Sequence, residues 1–216
     1  MLIEKFLGLI KFFKIARINL NNLFLQKLIW RLVRILNINS LKKIPYLSKK
    51  YEFLSVDQKI ILDREEIRLI KKYIKPNDIM LEWGCGGSTL LFSKYVKKCY
   101  SIEHNYPWYF KIKHLVPKNV KLKFISPNSH EKSITQKEKY KDYINIINKM
   151  KVPFFNKIFI DGRARVLCAR EVIKYLNHDS IVFIHDFYSR PQYHTIFELY
   201  KEIDGVKDLI ALKKRD

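Results

Sequence analysis

The amino-acid sequence predicts an α/β fold, a mostly parallel sheet with helices on both faces, preceded by an N-terminal amphipathic helical extension. Three observations lead there. From Ile79 onward short apolar runs alternate with amphipathic stretches. The first run is followed by a glycine-rich turn, Glu82-Trp83-Gly84-Cys85-Gly86-Gly87-Ser88, which opens a helical pattern. Basic residues crowd the first fifty positions. With 216 residues, 48% hydrophobic and 14% aromatic, the chain can fill one packed core, and a disordered or collagen-like chain is excluded.

Residues 1–50 hold eleven Lys or Arg and one acid, Glu4, whereas residues 51–216 mix both signs. The first part is read as an extension and linker, the second as the folded domain. Between Leu2 and about Leu36, Lys27, Arg31 and Arg34 fall on one helical face, and Leu25, Leu28, Ile29, Leu32, Val33, Ile35 and Leu36 occupy the rest. Such a helix suits an anionic membrane surface, with Trp30 and the leucines at the acyl boundary. It suits equally well packing on its own domain or on a second subunit of a homo-oligomer. Pro45 lies in the linker Asn37 to Lys50, where it cannot continue a helix.

Ser55 and Gln58 read as a capping box for a helix reaching Ile74, which Lys75-Pro76-Asn77-Asp78 stops. Buried strands are expected at Ile79 to Trp83, Cys99 to Glu103, Val120 to Ile125, Lys157 to Asp161 and Ser180 to His185. Helical patterns separate them at Thr89 to Tyr95, Tyr106 to Leu115, Tyr140 to Met150 and Ala164 to Leu176. A further helix is expected over Gln192 to Ile203 and a last strand over Val206 to Leu212, while Ser126 to Lys139 reads as a polar loop.

The formal charge of +21 and pI near 9.8 predict attraction to polyanions, nucleic acid or an anionic membrane. The longest charge-free stretch, Trp83 to Ser93, is too short to span a bilayer, and the N-terminus lacks a secretory pattern. Cys85, Cys99 and Cys168 form no CxxC pair and read as free thiols of a reducing compartment. The expected location is cytoplasmic, at the inner face of a membrane if the first helix binds one.

Chemistry concentrates at strand ends. Gly84 and Gly86 let the chain turn sharply and let a ligand approach the backbone, at a helix start with free amides. Glu103 ends the next strand, twenty-one residues after Glu82, where a carboxylate can accept two ribose hydroxyls. A dinucleotide site shows both features, but Glu82 ahead of the glycines would repel a pyrophosphate and could hold an amino-acid moiety instead. Asp161 and Arg163 follow the fourth strand and His185 and Asp186 the fifth, so both pairs reach the same rim. Arg163 and Arg190 could grip a carboxylate or phosphate there. Tyr140, Tyr143 and Ile147 recur at helical spacing and read as core, and Trp108 has either a stacking or a packing role.

The motifs EWGCGGST, IEH, DGRAR and HDF, with downstream Arg190 and Tyr193, together resemble the class I S-adenosylmethionine-dependent methyltransferases, in particular small macrocin-type and sugar or natural-product O-methyltransferases. The resemblance covers roughly Lys50 to Ala211. It implies a Rossmann-like methyltransferase fold, S-adenosyl-L-methionine as cofactor and a hydroxyl on a sugar, glycan precursor or other small molecule as acceptor. It places the cofactor at Glu82, Gly84, Cys85, Gly86, Ser88, Glu103 and His104, and the catalytic work at Asp161, Arg163, His185 and Asp186. Metal-dependent members would use Asp161 and Asp186 to hold Mg²⁺ or Mn²⁺, yet His185 stands where a carboxylate is commoner. Without a metal, His185 would be the general base, oriented by Asp161 or Asp186.

Two other functions compete. A nucleic-acid methyltransferase would use the charge, but the sequence has no [DNS]-P-P-[YFW] motif, and Cys168 lies mid-helix. A non-catalytic module that binds membrane or polyanion on the same scaffold would leave Glu103 and the strand-end cluster without a purpose.

Overall fold

The computed structural model describes residues 62–129 and 133–215. The expectations for the N-terminal helix, the linker and the Ser55–Gln58 cap lie outside these residues. The described elements are α1 (Arg64–Tyr73), β1 (Ile79–Trp83), α2 (Gly87–Phe92), β2 (Lys98–Glu103), α3 (Tyr106–Ile112), β3 (Val120–Phe124), α4 (Gln136–Lys139), α5 (Lys141–Asn145), β4 (Lys157–Ile160), α6 (Arg165–Val172), β5 (Ile181–Ile184), β6 (Tyr200–Val206) and β7 (Leu209–Lys214). Single 3₁₀ turns extend α2, α5 and α6.

The strands form one seven-stranded sheet in the order β3-β2-β1-β4-β5-β7-β6. The first five are mutually parallel, whereas β7 runs antiparallel to both β5 and β6. A dinucleotide-binding sheet places its sixth strand directly beside the fifth. Here β7 is inserted between them.

The apolar runs became strands because both of their faces are covered. On one face Leu81, Trp83, Ile158, Ile160, Val182 and Ile184 pack with Tyr143, Ile147, Phe155 and Cys168. On the other, Met80, Phe159 and Phe183 pack with Leu69, Ile70 and Phe92. Tyr140, Tyr143 and Ile147 are core, as their spacing indicated. Lys157 is buried at the start of β4, 3.4 Å from Asp78. Burial pushes its ammonium below the usual lysine range, and Asp78 opposes that.

Four expected elements differ. α1 begins only at Arg64, because Asp63 is extended (φ −66°, ψ 158°), so no single helix runs from Ser55 to Ile74. Its start is closed by the Asp63 amide donating to Glu66 Oε2 at 2.8 Å. The helix expected through Ile203 is a 3₁₀ segment, Pro191–Glu198, after which the chain becomes β6. Antiparallel pairing with β7 decides this, since a partner strand supplies hydrogen bonds that a marginal helix end lacks. The last strand accordingly starts at Leu209 and not at Val206. Tyr140 to Met150 is likewise split into α5 and a 3₁₀ turn. No helix among the described residues is long and apolar enough to cross a membrane.

Candidate active site

Parallel strands bring the carboxyl ends of β1, β2, β4 and β5 to one rim, which gathers the glycine turn, Glu103, Asp161 and the His185-Asp186 pair. Gly84 is in the left-handed region at φ +97°, and a Cβ there would stand 2.8 Å from the Asp161 carbonyl carbon and the Gly162 nitrogen. Glycine is therefore required by conformation and by the close passage of the β4 exit. Gly86 is extended at φ 177°, and an added Cβ would meet only the Trp108 ring at 3.6 Å.

The three amides of the turn are already spent. Gly84 donates to the Ile102 carbonyl at 2.9 Å, Cys85 to Glu103 Oε2 at 3.0 Å and Gly86 to Thr89 Oγ1 at 2.9 Å. The expectation of free amide donors fails for these residues.

Glu82 is turned into the interior. It is fully buried, and its oxygens accept from Ser88 Oγ at 2.6 Å, Thr89 Oγ1 at 2.5 Å and Ser101 Oγ at 2.5 Å. Burial raises its carboxyl to about 7, although the three hydroxyl donors oppose that. Glu82 and Ser88 thus brace the turn from behind. Glu103 is also buried, its side chain 4% exposed, and it ties the turn to the end of β2. Its Oε2 takes the Cys85 amide, and Oε1 takes the amides of His104 at 2.8 Å and Asn105 at 2.6 Å. The His104 ring packs edge-on against Tyr140 and Tyr143, with Nδ1 3.1 Å from Glu103 Oε1. The Trp108 indole N–H donates to the Cys85 carbonyl, so this ring lies over the turn. Cys85 is buried, and burial raises its thiol far above the usual range.

At the carboxyl ends of β4 and β5 Asp161, His185 and Asp186 converge. His185 Nδ1 lies 3.0 Å from Asp161 Oδ1 and 3.5 Å from Asp186 Oδ1. Its Nε2 lies 3.4 Å from Glu66 Oε1 on α1. Burial works against a charge on His185, but Asp161, Asp186 and Glu66 outweigh it, and the imidazole is raised above its ordinary value. Both ring nitrogens face carboxylates. Asp161 thus orients the imidazole, and Nε2 is directed at Glu66.

The arginine of this cluster is Arg165, not Arg163. Arg163 is exposed. Ala164 adopts the left-handed conformation (φ 52°), α6 then begins, and the Arg165 side chain runs back beneath Gly162. It donates to the Gly162 carbonyl at 3.0 Å, to the His185 carbonyl, and to Asp186 Oδ2 at 2.8 Å, and it lies 3.1 Å from Asp161 Oδ1. Arg190 reaches the same Asp186 Oδ2 at 2.8 Å and Tyr193 Oη at 3.1 Å. Sequence reading missed Arg165 and Glu66. The second arginine of DGRAR and the Asp63-x-x-Glu66 pattern were the available signals.

A divalent cation at this rim would have to draw on the same donors. Ligand atoms of Asp161, His185 and Asp186 lie within 4.8 Å of one another. The guanidinium of Arg165, however, already bridges both carboxylates. An added Mg²⁺ or Mn²⁺ would have to displace that guanidinium from both carboxylates. The residues do not fit a metal.

No family model matches the chain, and no curated protein does. Solved structures do. A methyltransferase-like protein, spo2022 from Silicibacter pomeroyi, is 19% identical with a TM-score of 0.61, covering 72% of this chain and 88% of that one. A TehB-like S-adenosylmethionine-dependent methyltransferase from Corynebacterium glutamicum is 14% identical with a TM-score of 0.51, covering 79% and 97%. These likenesses concern the fold. The chain has the Rossmann-like fold of class I methyltransferases.

Proposed function

We propose that the chain is an S-adenosylmethionine-dependent methyltransferase acting on a hydroxyl of a sugar, glycan precursor or other small molecule. The supporting observation is the juxtaposition at one rim of a glycine turn, the Glu103 carboxylate tied to it and the Asp161-centred cluster beside it. A carboxylate has about four acceptor positions, and three of those on Glu103 are filled by amides. The fourth, with exchange of the Cys85 amide, suits the two hydroxyls of a ribose. S-adenosylmethionine would supply an electrophilic methyl on a sulfonium.

Asp161 makes both of its contacts through Oδ1, and its side chain is 24% exposed. Oδ2 has no partner among the described residues. In this proposal the acceptor hydroxyl would form the new C–O bond as the methyl C–S bond breaks and the sulfonium becomes a neutral thioether, while Asp161 Oδ2 receives the hydroxyl proton and His185 and Arg165 hold Asp161 in place. Rate comes mainly from alignment of the reacting atoms. Arg190, on the same rim, gives an anionic acceptor a grip.

Calorimetric titration with S-adenosylmethionine tests the donor. Loss of hydrogen bonds to a charged group is worth about 1.5–3 kcal/mol, so Glu103→Ala should weaken binding by roughly ten- to a hundredfold, with the melting curve checking the fold. Absence of binding to the parent, or equal binding to both, rejects the assignment. Transfer of labelled methyl to a panel of sugars and glycan precursors tests the acceptor, and label confined to added RNA rejects it.

A further inference from the structure

A second concave site lies at the other end of the sheet, where β1, β2 and β4 begin. Its volume is about 440 Å³ and it is lined by Ile79, Lys97, Lys98, Tyr100, Asn119, Lys151, Val152 and Pro153. β1 separates it from the glycine turn by roughly 13 Å at about 3.3 Å per residue. The pocket follows from strand register. Lys98 and Tyr100 alternate onto the same face of β2, Ile79 pairs with Lys98, and Lys121 on β3 pairs with Tyr100.

The Tyr100 ring stands edge-on to Phe155, with centroids 5.9 Å apart, which fixes its orientation. Lys98 Nζ lies 5.4 Å and Lys121 Nζ 5.8 Å from that ring. Among the described residues none of Lys97, Lys98, Lys121 and Lys151 has a carboxylate at ion-pair distance. The neighbouring acid, Asp78, is engaged by Lys157 at 3.4 Å and by the Lys75 amide at 2.7 Å. Lys98 and Lys121 therefore stand by a half-buried aromatic ring, and Lys97, Lys98 and Lys151 line the pocket with the apolar wall of Ile79, Val152 and Pro153, none of the four paired with a carboxylate.

We propose that this pocket binds a nucleotide, its base against Tyr100 and the Val152-Pro153 wall and its phosphate among Lys97, Lys98 and Lys151. The volume suits one such unit, since small-molecule sites span about 300–1,000 Å³. Lysines at the rim supply non-directional charge for phosphate, and an aromatic face accepts any base. The ligand can be a free mononucleotide or one unit of a single-stranded RNA, because both present the same ring and phosphate.

The test is a titration of the full chain with UMP, with inorganic phosphate and with fluorescein-labelled hexauridylate at two salt concentrations. Lys98→Glu/Lys151→Glu should weaken UMP and hexauridylate at least tenfold, and Tyr100→Leu should weaken both while sparing inorganic phosphate. Unchanged melting curves show that the variants fold. Hexauridylate binding at least tenfold tighter than UMP, with a steeper salt dependence, identifies an RNA chain as the source. Equal affinities identify the free nucleotide. Inorganic phosphate competing as well as UMP, or variants binding like the parent, overturns the proposal.

Discussion

Glu82→Gln isolates the energetic role of the buried carboxyl behind the glycine turn. The Glu82 carboxyl is raised from 4.5 to about 7, with burial as the largest cause. A carboxyl with a raised folded-state value binds its proton more tightly in the native chain. Its contribution to stability is therefore fully present below about pH 4.5 and is lost as pH rises through 7. A shift of about two and a half units, at about 1.4 kcal/mol per unit, is worth roughly 3 kcal/mol. A glutamine at this position cannot titrate; its carbonyl oxygen can still accept from Thr89 and Ser101, and its amide donates to Ser88 Oγ in place of accepting from it. The assay is urea unfolding of parent and variant from pH 4.5 to 8, plotted as the difference between them. That difference cancels other groups titrating in the same window, His185 included. It should move in favour of the variant by roughly 3 kcal/mol as pH rises. A flat difference, or one that favours the parent at high pH, would contradict this account and show that the hydroxyl donors keep the carboxyl ionised.

Four other perturbations follow from the same geometry. Arg165→Ala leaves Asp161 and Asp186 facing each other; because both are about a quarter exposed, the cost sits near the low end for a broken buried pair, about 3 kcal/mol. That predicts a fall in melting temperature of roughly 6–12 °C, whereas Arg163→Ala should stay within about 0.5 kcal/mol. Chelators should leave the parent's melting temperature unchanged, and a drop on chelation would restore the metal. Gly84→Ala should cost about 3 kcal/mol, since it combines a left-handed backbone with a Cβ 2.8 Å from another backbone segment; Gly86→Ala, with ordinary contact at 3.6 Å, should fold normally, and equal stabilities would remove the distinction. Trp108→Phe deletes the indole donor to the Cys85 carbonyl and should cost about 1 kcal/mol in urea unfolding; no change would leave Trp108 with a packing role alone.

The parallel core of the sheet and its rim were legible in the order of residues alone. Apolar runs buried on two faces could only be interior strands, and parallel strands necessarily bring Glu103, Asp161 and His185, which end or follow them, to the same side. The left-handed need at Gly84 was also readable, because the turn between a strand and a helix is a local matter. Long-range packing settled the rest. Whether Arg163 or Arg165 meets the acids depends on Ala164 turning left-handed, a choice made by packing. Glu66 reaches His185 because α1 lies beside β5's exit, more than a hundred residues away in sequence. β6 displaced a predicted helix because its hydrogen-bond partner is β7, and no local pattern contains that partner. Of the two alternatives left open at this rim, a metal on Asp161 and Asp186 would meet the Arg165 guanidinium between the two carboxylates, a contact that exists only once the chain has folded.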